Sequence, residues 1–236
     1  MNKKKPATYK RAIAYIIDLL IVTLLSGILA VVFTNNKAYE KDSEKLMDLT
    51  KKLTSGEIDE KGYYEEFDSL NYELTKDSVA VTAITCGVSI IYYAILCYYC
   101  HGITLGKYIM KIKIVSNNGK KLNLGNYLLR CLVINMVLSN VLSIVLVETL
   151  SKSSFITIYS KVSNGFTLLM LLSFILIMYR EDGRGIEDFM GNTRIINIKD
   201  ELLEENNEQV VEKNEIKEAT IVNEVKEKKN SKKKNK

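Results

Sequence analysis

Apolar positions in this chain gather into four blocks, at about residues 13–33, 79–99, 127–147 and 162–179, and polar residues collect between them. Each block is about 18 to 21 residues long, enough for an α-helix to cross a hydrocarbon core. The helices of a soluble bundle would carry Lys and Glu on their outer faces, and these blocks have almost none. The pattern predicts an all-α membrane protein with four transmembrane helices. A single proline in the chain leaves the backbone of each block able to bond within its own helix, as lipid demands.

Between the first two blocks the period changes. Leu46, Leu49 and Leu53 recur at helical spacing, SGEID interrupts, and Tyr64, Phe67, Leu70 and Leu74 resume the pattern. Residues 34–78 are therefore expected to form an extracytoplasmic helical hairpin continuous with the first two spans. After the second block, KIKIV, SNNG and KKLNL read as strand, turn and strand, with Ile112 and Ile114 facing Leu122 and Leu124 around Asn118-Gly119. TRIINI, residues 193–198, alternates in the same way and is a candidate third strand against the first. The expected result is a small cytoplasmic β-element, with three unconnected loops as the alternative.

Composition changes the picture little. The chain of 236 residues is 47% hydrophobic and 26% charged, a mean hydropathy of zero that would suit a soluble domain if the residues were evenly mixed. The first block is too long for the apolar core of a signal peptide and contains Asp18, so it reads as a retained span.

Charge sets the orientation. Lys3, Lys4, Lys5, Lys10 and Arg11 in residues 1–12, and Lys107, Lys111, Lys113, Lys120 and Lys121 in the loop after the second block, stand without acids. Both segments are expected at the cytoplasmic face, whereas residues 34–78, with seven lysines against twelve acids, are expected outside. Both termini then lie in the cytoplasm of a cell-membrane protein. From Lys199 the lysines and acids balance and aromatics are absent, so 199–236 reads as a disordered charged tail beyond a membrane domain of residues 8–198. That balance also argues against nucleic acid as a partner. The lipid bilayer is the expected environment, with anionic headgroups meeting the lysine-rich segments.

CYYCH, residues 97–101, matches a haem-attachment pattern. Its place at the cytoplasmic end of the second span and the lack of another histidine for the second axial position argue against haem. Two thiols and one imidazole lack a fourth ligand for zinc. No cofactor or metal is expected, and Cys86, Cys97, Cys100 and Cys131 read as packing residues. No Ser/His/Asp set or phosphate-binding loop is present, so an enzyme is not expected.

Asp18 is the anomaly. An ionisable group inside a span costs about 2.5 to 3.5 kcal/mol on insertion scales and calls for a partner or a role. Arg11 shares its helical face, about 10 Å away along the axis, so direct pairing needs an inward reach or a bridging group. Thr82, Thr85, Cys86, Ser89 and Tyr93 form a small or polar stripe on the second span, and Asn135, Ser139 and Ser143 another on the third. Helix packing and a polar route outward from Asp18 are both open readings of these stripes.

These residues together resemble the RDD family of bacterial multi-pass membrane proteins, named for an Arg and two Asp. Arg11 and Asp18 in RAIAYIID take the first two positions, followed by GITLGK with Thr104, Gly106 and Lys107, then KIKIV, Gly119 and Arg130. Asp188 in IEDFMGNTRII takes the second Asp, and the resemblance covers about residues 8–198. Glu187 and Asn192 stand where members often carry His and Gly. Some members are linked to cation/proton antiport, so the resemblance implies a transport-related role with protons or monovalent cations as partners. On this reading Arg11, Asp18, Asp188 and Arg130 form an intramembrane polar centre, which Arg194 approaches through the β-element, while Lys107 meets lipid headgroups. A non-catalytic scaffold with a structural Arg/Asp network stands beside it as the alternative.

Overall fold

The computed structural model describes residues 6–34 and 37–200. Lys3, Lys4, Lys5 and the tail beyond residue 200 fall outside them.

The first apolar block forms α1, Thr8–Phe33. Its buried residues, Ala14, Asp18, Val22, Ser26 and Ala30, recur every fourth position and make one narrow seam. Four of the five are uncharged and compact, which lets α1 approach its neighbours closely where lipid supplies no hydrophobic drive to association. Most of its exposed large side chains are Ile, Leu and Val.

Helices α2, Lys37–Ser55, and α3, Glu60–Asp77, form the expected hairpin. Gly56 supplies the left-handed turn at φ +77°, and the Asp59 carboxylate accepts the Gly62 amide at 2.9 Å to start α3. Tyr72 packs edge-on against the fully buried Phe155, 5.2 Å between centroids, and Lys152 pairs with Glu73 at 2.8 Å.

The second span, Val79–Tyr99, consists of α4 (Val79–Ile90), a π-helical turn (Ile91–Leu96) and α5 (Cys97–Tyr99). Because the π-turn widens the helix, the consecutive Tyr92, Tyr93 and Ala94 are all buried while Ile91 and Leu96 face outward.

The third apolar block departs from the expected single helix. It forms a short helix α7, Leu124–Ile134, and a second helix α8, Val137–Thr149, inclined at 67° to each other. Met136, in the left-handed region at φ 52°, breaks the helical ladder. The next helix α9, Lys152–Tyr179, starts about ten residues before the expected fourth span. Among the described residues three helices are long and apolar enough to cross a membrane, or four spans if the bent pair is one.

At the end of the bundle opposite the α2–α3 hairpin lies a platform of α6 (Leu105–Ile109), β1 (Ile112–Ser116), α10 (Ile186–Met190) and β2 (Thr193–Asn197). β1 pairs antiparallel with β2, Ile114 opposite Ile195 and Ser116 opposite Thr193. The expected hairpin between KIKIV and KKLNL does not form. Asn123 instead caps α7: its side chain and that of Asn126 each accept the other's backbone amide. That use of Asn123 ends the extended run, and TRIIN takes the place beside β1.

Candidate functional site: two buried carboxylates beside a chamber

Asp18 is fully buried, and every one of its polar neighbours comes from another element. Tyr92 Oη donates to Oδ1 at 2.7 Å, and the Gly106 backbone N–H donates to the same oxygen at 2.8 Å. Thr104 Oγ1 donates to Oδ2 at 2.5 Å, and Lys107 Nζ lies 3.5 Å from that oxygen. Thr104 precedes α6 but does not cap it with its side chain. Asp18 satisfies an amide at the start of α6 instead, a carboxylate supplied from α1. Gly106 is required sterically, because a Cβ there would collide with the Ala14 carbonyl oxygen and sit 2.9 Å from the Asp18 carboxyl.

Asp188 anchors the second cluster and is also fully buried. Arg11 Nη2 donates to its Oδ2 at 2.7 Å and to Glu187 Oε1 at 3.1 Å, and the Arg11 guanidinium also bonds the Gly183 carbonyl. Arg130 donates to Asp188 Oδ1 and to Thr193 Oγ1. The Gly185 amide closes on Oδ2 at 3.0 Å. Glu187, buried itself, accepts a hydrogen bond from Ser173 Oγ on α9. The cluster thus joins α1, α7, α9, α10 and β2. Burial pushes the Asp188 carboxyl upward, but the Arg130 and Arg11 guanidinia outweigh it and leave its pKa at about 2, against an ordinary 3.8.

The residues singled out in the sequence therefore divide into two groups. Arg11, Arg130 and Asp188 come together, while Asp18 gathers Thr104, Gly106 and Lys107. Arg11 is not the partner of Asp18: its side chain runs to α10, and Tyr92 and α6 meet Asp18 first. Lys107 turns inward, with a side chain only 13% exposed, rather than toward headgroups. Thr193, not its neighbour Arg194, enters the Asp188 cluster; Arg194 lies opposite Val115 in the sheet. Along the stripes, Thr85 and Ser143 bond carbonyls of their own helices, and Cys131 Sγ donates to the Ser89 carbonyl at 3.6 Å. These contacts fit helix packing. In CYYCH, Cys97 is fully buried and His101 is exposed.

Sequence reasoning missed Tyr92, Ser173 and the supporting role of Glu187. The signals available were a Tyr-Tyr pair inside an apolar block and a second acid beside Asp188. Neither reveals its partner, because those contacts depend on the π-turn and on the return of the chain from α9.

Between the two clusters lies a chamber of about 330 Å3. Arg11, Asp18, Lys107, Arg130 and Glu187 reach it, and its remaining walls are mainly apolar side chains of α1, α7 and α9. Tyr93 and Asn135 also line it. Among the described residues, the Tyr93 hydroxyl and both polar atoms of the Asn135 amide are buried without a hydrogen-bond partner, although the Cys131 thiol lies close to that amide.

Long apolar helices whose exposed faces are Leu, Ile, Val and Phe, closed at one end by buried ion pairs, define a helical integral membrane protein. The RDD family model matches residues 5–192, and the chain belongs to that membrane-associated bacterial family. No curated protein and no solved structure matches it.

Proposed function

We propose that the protein is a non-catalytic module of the cell membrane in which Asp18 and Asp188 are structural latches, each fastening spans to the platform. The observation that supports this most is the saturation of both carboxylates. Each oxygen of Asp18 and of Asp188 already takes two donors. Such a carboxylate has little capacity left for a travelling ion, and replacing its donors exposes charge to a low-dielectric interior. The platform faces the cytoplasm on this reading, as do both termini. The exposed Lys111, Lys120 and Lys121 support that orientation and offer contacts for anionic headgroups.

A cation/proton exchange role is the second reading, and one observation favours it: the chamber reaches Asp18 and Lys107, whose separation of 3.5 Å is the loosest contact of the carboxylate. A proton or cation arriving there would displace Lys107 at least cost.

One experiment separates the readings. The full chain and Asp18→Asn are compared for cation-driven proton flux in proteoliposomes and for thermal unfolding in detergent. The latch reading expects a loss of about 3 to 5 kcal/mol in stability and no flux attributable to Asp18. Unchanged melting together with abolished flux overturns the latch in favour of exchange.

A further inference from the structure

Charge balance decides what the chamber suits. Among the described residues, every charged side chain reaching it already faces an opposite charge: Arg11 and Arg130 meet Asp188, Arg11 also meets Glu187, and Lys107 meets Asp18. A charged guest would find no unmatched countercharge and would have to break a buried pair. Among the described residues that line the chamber, the buried groups without partners are neutral. Tyr93 is 8% exposed, and its hydroxyl both donates and accepts; the Asn135 amide does the same with two atoms.

Access is lateral. Ile16 on α1 and Phe174 on α9 both line the chamber, yet they are 54% and 51% exposed, so its wall is continuous with the surface that meets lipid. α1 packs mainly on α4 and α6, whereas α9 packs mainly on α8, α3 and α10, which leaves the chamber between them. Its volume lies at the small end of the range for small-molecule sites.

We propose that this chamber binds a neutral single-chain amphiphile from the membrane. Its hydroxyl or carbonyl end bonds Tyr93 Oη and the Asn135 amide, and its chain passes between Ile16 and Phe174 into the hydrocarbon. The π-turn that brings Tyr93 inward and the break that follows Asn135 are then the two backbone irregularities that build the site, an arrangement common where helices serve ligands. The inference does not depend on the latch reading, because it uses neither carboxylate as a ligand.

The test uses the full chain in zwitterionic nanodiscs with radiolabelled monolaurin, beside lauroyl lysophosphatidic acid, which carries the same chain on an anionic head. Saturable monolaurin binding with a raised melting temperature is expected. The anionic analogue should bind more weakly. Tyr93→Phe and Asn135→Leu each remove hydrogen bonds to a neutral group and should weaken binding about three- to tenfold. Ala12→Phe fills the chamber from its lipid-exposed wall and should abolish binding while the ligand-free protein melts as the parent does. Non-saturable uptake, equal binding by Ala12→Phe, unchanged affinity in both polar variants, or tighter binding of the anionic analogue would each overturn the proposal.

Discussion

Arg11 Nη2 lies 2.7 Å from Asp188 Oδ2, so the start of the first span is tied to a residue 177 positions later. The same carboxylate receives Arg130 from α7, and the two cations together hold α10 against the bundle. Buried charges of this kind contribute little net stability as intact pairs but cost heavily when one member is lost.

Asp188→Asn should therefore lower unfolding stability by about 3 to 5 kcal/mol, because Arg11 and Arg130 keep their charges in a buried site. Denaturant unfolding in mild detergent measures it. A loss under about 1 kcal/mol would show that the cluster is not a structural element.

The same residue predicts a pH dependence. Its folded pKa, about 2, lies below the ordinary 3.8, so its ionised form is favoured by folding. That contribution, about 2 kcal/mol, is complete above about pH 4 and disappears as pH falls through about 2. Stability measured across that window should fall more steeply for the parent than for Asp188→Asn.

Tyr92→Phe removes one donor from a buried carboxylate and leaves the ring's packing intact. A hydrogen bond to a charged group contributes about 1.5 to 3 kcal/mol, and a stability loss in that range is expected in thermal unfolding. A variant as stable as the parent would mean that Tyr92 does not hold Asp18.

Gly106→Ala and Gly27→Ala should behave oppositely. A methyl at 106 meets the Ala14 carbonyl oxygen and the Asp18 carboxyl, whereas one at 27 meets nothing within 4 Å among the described residues. The first should cost about 1 to 3 kcal/mol, and the second should be neutral or raise stability by up to about 1 kcal/mol. Melting curves of the two variants, run side by side, check the contrast.

Lys152→Ala breaks an ion pair whose side chains are 40% and 42% exposed. Such pairs contribute about 0 to 1 kcal/mol, so the melting shift should be small beside that of Asp188→Asn. A comparable loss would mean that the hairpin contributes more to the bundle than its exposed contacts suggest.

Much of the architecture was legible because burial in lipid is a local demand on sequence. Apolar runs near Ile16, Val88 and Leu171 had to become helices, since a lone segment can satisfy its own backbone there only in that form. The helical spacing of Leu46, Leu49 and Leu53 marked the hairpin in the same way. The break at Met136 was not legible, because a left-handed residue inside an apolar run changes no hydropathy. Nor was the failure of KKLNL to pair: Asn123 served equally well as a strand residue or a cap, and the neighbouring segment decided.

The chain alone set apart the apolar segments and marked Asp18 as a residue needing a partner, because an unpaired charge near lipid is costly whatever surrounds it; Arg130 and Asp188 joined it and Arg11 through the family resemblance. Only the tertiary structure decided who those partners are. Asp18 turns to Tyr92 and α6, and Arg11 turns to Asp188, since a π-turn, a helix break and a returning strand fix which oppositely polarised atoms come within 3 Å. Spacing along one helix cannot supply that information: such contacts join elements far apart in the chain, and their geometry exists only once the spans have packed.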